Sequence, residues 1–360
     1  MSGGGVGSGD VVRTPAEAAA ADLEPLIVVE PLRTFLDAAG LGSGELEITP
    51  IGDGHSNLTF LIERQDQRLV LRRPPRGPLP PSAHDMLREA RLLAVLGPQG
   101  IPVPEVLASC DDPAVIGAPF YLMTYVDGWV LSHDLPPALA LPDGPAKIAE
   151  QLVDGLVELH ALSPAAEGLA GFGRPQGYLE RQLKRFGGLL EENATRPLPE
   201  LEQVTEWLAA NLPPSPSPTV VHGDYRLGNV MYAREEPRLV AILDWEMATV
   251  GDPLADLGYM TATWAARTDP ANSVADLSPV TRLAGFPGRE ALARRYAEAT
   301  GRSIDALAWY QVLACWKAAV FLEGNFKRFR AGTAPDPYYA SLETGVPELA
   351  RTALALSRSA

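Results

Sequence analysis

Cysteine is nearly absent from this 360-residue chain, which has only Cys110 and Cys315. They lie far apart and share no metal-ligand spacing, which argues for two reduced, buried thiols rather than a disulfide. Histidine is almost as scarce, at five residues. None belongs to an HExxH or mixed His/Cys cluster, so a zinc site is not expected. No run of about 18 apolar residues occurs, so no membrane span is expected. Lys and Arg number 30 against 45 Asp and Glu, for a net charge of −15. A general nucleic-acid binder needs a cationic surface to displace counterions, and this balance argues against one. The opening "MSGGGVGSGD" lacks the basic-then-apolar order of a secretory signal. Residues 1–24 therefore read as a disordered tail, and the chain as a cytoplasmic protein.

What remains is ordinary globular sequence, 46% hydrophobic and 21% charged, and long enough for two lobes. Leu32, Phe35, Leu36 and Ala39 recur at helical spacing within 31–40. Residues 46–74 alternate as an antiparallel meander of three strands, with a glycine turn from Gly52 to Asn57. A helix follows over 84–97, stopped by Gly97-Pro98, and then "VPEVLAS" and "PFYLMTYV" read as further strands. Beyond residue 126 the pattern turns helical, over 145–161, 177–191, 200–211, 289–299, 305–323 and 338–357. The expectation is an α+β chain. A small antiparallel-sheet lobe spans 25–126, a large and mainly helical lobe spans 127–360, and a cleft lies between them.

Three polar clusters interrupt this frame. In "IGDGHSN" the glycines permit unusual backbone angles and close approach of a phosphate, although a plain hairpin turn explains them too. In "RLVLRR" the strand period puts Val70 and Arg72 on one face, and Glu89 on the next helix is placed to pair with Arg72. The bland alternative is an edge arginine that snorkels and a solvated glutamate. The third cluster is "VVHGDYRLGNVMY" (220–232) with "LVAILDWEMATVGDPLADLGYM" (239–260). Asp224 and Asn229 share one loop, and Asp244 ends an apolar run. Such oxygens suit hydrated Mg²⁺ on substrate phosphates, held by Asn229 and Asp244, with Asp224 left to deprotonate an acceptor hydroxyl.

The order of glycine turn, strand cation, helix glutamate, HxDxxxxN loop and strand-end Asp resembles the protein-kinase-like plan. "HGDYRLGNVMY" with "AILDWEMATVGDPLADLGYM" is similar to the aminoglycoside phosphotransferase family. More narrowly, "VLRRPPRGPLPPSAHDMLREARLL", "PVPEVLA" and "YLERQLKRF" resemble the kinase domains fused to some acyl-CoA dehydrogenases and their free-standing bacterial relatives. The resemblance covers about residues 30 to 335. It implies a bilobal kinase fold, ATP and Mg²⁺, and phosphoryl transfer to a small-molecule hydroxyl. The first lobe would bind nucleotide; the second would carry catalysis and bind the acceptor. By the same resemblance Asp224 is the catalytic aspartate, with Arg72 and Glu89 as its partners in catalysis. Asn229 and Asp244 are metal ligands. Gly52, Gly54, His55, Ser56 and Asn57 belong to the nucleotide-covering loop, and Val70 and Arg72 line the nucleotide site. Met123, Thr124, Tyr125 and Val126 form the adenine hinge. His222 braces the loop, and Asp252 and Asp256 anchor it or cap a helix.

Two departures stand out. Arg72 occupies the usual lysine position, and a guanidinium directs its charge differently from an ammonium. "DWE" replaces DFG, which suits a small-molecule kinase without an activation-loop switch. The alternatives are an antibiotic kinase acting on aminoglycosides or macrolides, and a nucleotide-binding pseudokinase that regulates a partner such as an acyl-CoA dehydrogenase in trans. Two basic clusters, Arg181, Lys184 and Arg185, then Lys327, Arg328 and Arg330, together with the subgroup resemblance, favour an anionic, hydroxyacyl-CoA-like acceptor.

Overall fold

The structure, a computed structural model, describes residues 9–52, 57–65, 67–77, 84–269, 277–333 and 337–360. Over these residues the chain starts with a parallel pair, β1 (Val11–Val12) against β2 (Ile27–Val28), and α1 (Pro15–Ala20) lies between them in sequence. The disordered tail expected over 1–24 is corrected here from residue 9 onward; residues 1–8 lie outside the described set. Thr14 and Glu17 form a reciprocal capping box around Pro15, and Leu26 and Ile27 are buried, so the segment is tied at both ends.

The chain folds as two compact units, Met1–Val126 and Asp127–Ala360. In the first, α2 (Val29–Ala38) precedes β3 (Glu47–Pro50), β4 (Leu58–Arg64) and β5 (Gln67–Arg73). Then come α3 (Met86–Leu96), β6 (Val106–Cys110), α4 (Pro113–Ile116) and β7 (Phe120–Thr124). The sheet runs in the order β3-β4-β5-β7-β6, with every neighbouring pair antiparallel. The period of two puts Phe60, Ile62, Leu69, Leu71, Phe120 and Leu122 on one face, packed with Leu32 and Leu36 of α2. That leaves Val70 and Arg72 on the other. Cys110 is buried and unpaired, as is Cys315 in the second unit.

The second unit holds β8 (Trp129–Val130), α5 (Gly144–Ala161), α6 (Tyr178–Asn193) and α7 (Pro199–Ala210). Four short strands follow, β9 (Thr219–Val221), β10 (Val230–Tyr232), β11 (Leu239–Ile242) and β12 (Thr249–Gly251). The chain ends in α8 (Leu254–Ala262), α9 (Arg289–Thr300), α10 (Leu307–Arg330) and α11 (Leu342–Ser359). The strands make two small ladders, β8-β10-β11 and β9-β12. This sheet-first, helix-second order is the α+β architecture the sequence implies. Among the described residues no helix is long and apolar enough to cross a membrane.

Two helices differ from the periodicity reading. The expected helix 305–323 continues to Arg330, because Gly324 is not a stop. A Cβ there would lie 2.9 Å from Asn193 Nδ2, so the glycine permits close packing on the end of α6. Glu323 pins the same point. Its Oε1 accepts from Thr195 N–H and Oγ1 at 3.1 and 2.6 Å, and its Oε2 meets Arg196 Nη2 at 3.0 Å. The second difference is α8, which sequence periodicity did not single out.

Candidate active site

β9 supplies the platform for the HxDxxxxN loop. Val220 and Val221 are fully buried and pair with Val250 and Thr249 of β12, so the chain leaves the ladder at His222 in a fixed direction. Gly223 turns it at φ 86°, and a Cβ there would meet the Met247 carbonyl at 2.8 Å, so only glycine fits. Asp256 of α8 holds the turn. Its Oδ2 accepts His222 N–H at 2.7 Å, and its Oδ1 accepts Gly223 N–H at 2.8 Å. His160 of α5 steadies Asp256 in turn, with Nε2 at 3.2 Å from Oδ2 and Nδ1 at 2.7 Å from the Tyr296 hydroxyl. Burial pushes the His160 imidazole below its ordinary pKa, with Asp256 acting in the opposite direction.

His222 links the two catalytic strings. Its Nε2 lies 2.9 Å from the Leu243 carbonyl, and its Nδ1 lies 3.2 Å from Asp224 N–H. A carbonyl only accepts and a backbone N–H only donates, so the imidazole is the neutral Nε2–H tautomer. It braces the backbone of Asp224 and of the residue before Asp244, and is no proton carrier in this arrangement. Asp252, the other acid of this string given a bracing role, caps α8 at Leu254 N–H (3.0 Å) and accepts from the Tyr310 hydroxyl (2.8 Å).

Asn229 Nδ2 donates to the Asp224 carbonyl at 2.8 Å and to Asp224 Oδ2 at 2.6 Å. That bond consumes one carboxylate oxygen and orients the other. Asn229 is drawn towards Asp244 by the β10–β11 register, which pairs Val230 with Ile242, and by Leu243 N–H donating to Asn229 C=O at 2.8 Å. Asp244 has φ 66°, in the left-handed region that few residues other than glycine adopt, and Asp is among the more tolerant. Local backbone strain of this kind concentrates at functional sites.

The donor set fits Mg²⁺. With Asn229 Nδ2 committed to Asp224, its Oδ1 is the amide oxygen left to accept or ligate, and Asp244 follows Leu243, whose N–H is bonded to the Asn229 carbonyl. Hard amide and carboxylate oxygens in small number are what Mg²⁺ takes when phosphates and water complete its shell.

Arg226 lies within the catalytic string but carries no role in the sequence reading. Its Nε lies 3.7 Å from Asp224 Oδ1 and makes no hydrogen bond, although it is buried. The side chain as a whole keeps 22% of its surface exposed beside the candidate base, so a charged substrate group can reach the guanidinium there. Its two-residue offset from Asp224 was the available signal. Tyr259 of α8 was also missed. Burial holds its phenol well above the ordinary range, and the neighbouring Asp224 carboxylate adds to that.

In the first unit, Arg72 Nε meets Glu89 Oε2 at 3.3 Å, with Glu89 only 2% exposed. Arg73 points the other way, donating to the carbonyls of Leu26 and Ile116. Burial lowers its pKa to about 10. Gly52 has φ 83°, and Asn57 Oδ1 is tied to His84 Nδ1 at 2.7 Å. Gly54, His55 and Ser56 lie outside the described residues. Val70 and Met123 are cross-strand partners. Thr124 is bound into a loop closure, with its N–H on Glu105 C=O at 2.9 Å and its hydroxyl accepting Glu105 N–H at 3.0 Å, and Tyr125 stacks under Arg68. The structure thus gathers Asp224, Asn229 and Asp244 in the second unit and pairs Arg72 with Glu89 in the first.

The two basic clusters are largely spoken for. Arg181 donates to the carbonyls of Arg174 and Gln176. Lys327 caps the end of α6 at Glu192 C=O (2.6 Å), and Arg328 bonds Asn325 Oδ1 (2.5 Å). These are structural contacts, so the clusters as read from sequence are not two free anion sites.

The family model of the phosphotransferase enzymes (APH) matches residues 47–313. Acyl-CoA dehydrogenase family member 10 of Mus musculus is 35% identical over 81% of this chain, and family member 11 of Gallus gallus is 34% identical over 88%. The chain spans only 27% and 41% of those two relatives' lengths. A crystal structure of a provisionally assigned aminoglycoside phosphotransferase from Ralstonia eutropha superposes with TM-score 0.76 at 27% identity, covering 92% of this chain and 98% of that one. The order of motifs, the kinase-like fold and the match across residues 47–313 agree, and the chain belongs to the APH phosphotransferase enzyme family.

Proposed function

We propose that the protein is an ATP- and Mg²⁺-dependent small-molecule kinase that moves the γ-phosphoryl group to an acceptor hydroxyl. The observation that carries this reading is Asp224, whose Oδ2 is fixed by the Asn229 amide at 2.6 Å while Oδ1 lies beside Arg226 at 3.7 Å. Oδ1 is the oxygen left to take the acceptor's proton. As the acceptor oxygen bonds to the γ-phosphorus, the bond from phosphorus to the β,γ-bridging oxygen breaks. ADP leaves with that electron pair, and the hydroxyl proton passes to Asp224. Arg226 offsets charge gathering on the transferred group. Mg²⁺, when bound, neutralises and orients the phosphate oxygens, and Asn229 Oδ1 with the Asp244 carboxylate would hold it. In the first unit, Glu89 fixes the direction of Arg72, which would bind nucleotide phosphate, while Val70 and the Met123–Val126 segment would line the base.

For the acceptor we propose an anionic hydroxylated metabolite of the hydroxyacyl-thioester kind. The support is the subgroup likeness and a pair of cations in the helical unit, Lys317 and Arg185, that share the Phe186 ring. The dehydrogenase relatives are more than twice as long as this chain, and a dehydrogenase partner is not carried to it. The test is Mg·ATP turnover against hydroxyacyl thioesters, hydroxy acids, aminoglycosides and macrolides. A phosphorylated hydroxyl on the thioesters or acids, with aminoglycosides poor, is the expected result. Efficient phosphorylation of an antibiotic with thioesters inert would restore the antibiotic-kinase reading. ATP binding with no acceptor turned over would favour a pseudokinase.

A further inference from the structure

We propose that Lys317 of α10 and Arg185 of α6 form a cationic seat for an acidic group, carboxylate or phosphate, carried by the acceptor, and that Lys317 sets acceptor specificity. This rests on the phosphotransferase reading; it takes Arg185 from the first basic cluster and adds Lys317, which neither the motifs nor the clusters identify.

The geometry is a shared aromatic floor. Lys317 Nζ stands 4.8 Å from the centroid of the Phe186 ring, and the Arg185 guanidinium lies 5.9 Å from the same centroid. Each ring contact is a weak cation–π attraction; Arg185 is otherwise exposed, and for the half-buried Lys317 the ring does not replace the hydration it loses. Neither cation has an acidic partner among the described residues. Elsewhere in the same unit Arg295 is bidentate on Asp154 and Arg196 meets Glu323, while Lys327 and Arg181 end on backbone carbonyls. Two like charges over one ring repel each other, and a bound anion between them would relieve that repulsion.

The surroundings fit the same reading. Lys317 is half-buried, and burial lowers its ammonium to about 8, with Arg185 lowering it further. α10 packs against both α6 and α8, and α8 carries Asp256, which holds the His222–Gly223 turn beside Asp224; Asp256 and Asp224 act on the Lys317 ammonium in the opposite direction to burial. A neutral or cationic acceptor would leave Lys317 and Arg185 as they are. An acceptor with an acidic group would pair with both while its hydroxyl is presented to Asp224. The bland alternative is a lysine stem covering Phe186 with no ligand role.

The test uses the full chain and three acceptors that share one hydroxyalkyl chain ending in a carboxylate, a phosphate monoester or a carboxamide. Acceptor KM, ATP KM and kcat are measured for the wild type, Lys317→Met and Lys317→Arg, with calorimetric binding of each acceptor in the presence of ADP. The expected result is at least a tenfold preference of the wild type for a charged acceptor over the amide, and whichever charged acceptor binds better names the acid. Lys317→Met should lose that preference through acceptor KM, with ATP KM unchanged, and Lys317→Arg should keep it. Raising the pH through about 8 discharges Lys317, so charged-acceptor affinity should fall there in the wild type and not in Lys317→Arg. An equal charge preference in wild type and Lys317→Met, or identical pH profiles for wild type and Lys317→Arg, would overturn the proposal. If no transfer occurs at all, the calorimetric arm still decides the charged seat, which separates its failure from failure of the kinase reading.

Discussion

Adjacent residues on a strand face opposite ways, and Arg72 and Arg73 show what that does to two chemically identical side chains. Arg72 ends on the Glu89 carboxylate at 3.3 Å, while Arg73 is buried and bonded to the carbonyls of Leu26 and Ile116. Arg72→Ala should raise the KM for ATP and lower kcat together, and Arg72→Lys should restore part of both because it keeps the charge without the fork. Arg73→Met should leave ATP KM alone and instead cost stability, about 2–4 kcal/mol for the carbonyls of Leu26, Pro74 and Ile116 left without this donor, read by denaturant unfolding. The reverse pattern would mean that the strand phase is wrong. This phase was legible from alternation in "RLVLRR". The left-handed backbone of Asp244 was not, because nothing in "AILDWE" marks a positive φ where glycine is absent. Nor was the fate of Arg181 and Lys327, since a basic residue's partner is set by tertiary contacts that a cluster in sequence does not reveal.

Among elements, α8 does the most to position the loop and was the hardest to foresee. Its acids Asp252 and Asp256 read from sequence as residues that anchor a loop or cap a helix, and they do both. Yet "PLADLGYM" also buries Leu254, Leu257, Gly258 and Thr261 at helical spacing behind a proline start. Gly258 allows the close approach of α10, since a Cβ there would lie 2.5 Å from Tyr310 Cβ. Gly258→Ala should force the two helices apart, at a cost of about 1–3 kcal/mol in stability. It should also shift Asp256, and with it the His222–Gly223 turn, so kcat should fall more than ATP KM rises. Thermal melting and steady-state kinetics on one preparation check both parts; an unchanged melt with full kcat would contradict the packing argument. The long α10 was misjudged at its end for a related reason. A glycine at a helix–helix contact and a glycine at a helix stop look the same in sequence.

For the whole molecule, the division into a sheet-rich first part and a helical second part was readable because period-two and period-3.6 patterns occupy separate stretches of the chain. The N-terminal segment was misread because a glycine-rich start hid the Thr14 capping box behind it. The family was readable because its motifs are few and come in a fixed order, and Asp224, Asn229 and Asp244 keep that order within the matched residues 47–313. The most direct test of the account is phosphoryl transfer from ATP by Asp224→Asn, measured beside calorimetric Mg·ATP binding by the same protein. The account predicts that transfer falls by about 10²–10⁴-fold, the usual cost of losing a general base, while ATP affinity and fold are kept. Unchanged transfer by Asp224→Asn would contradict it.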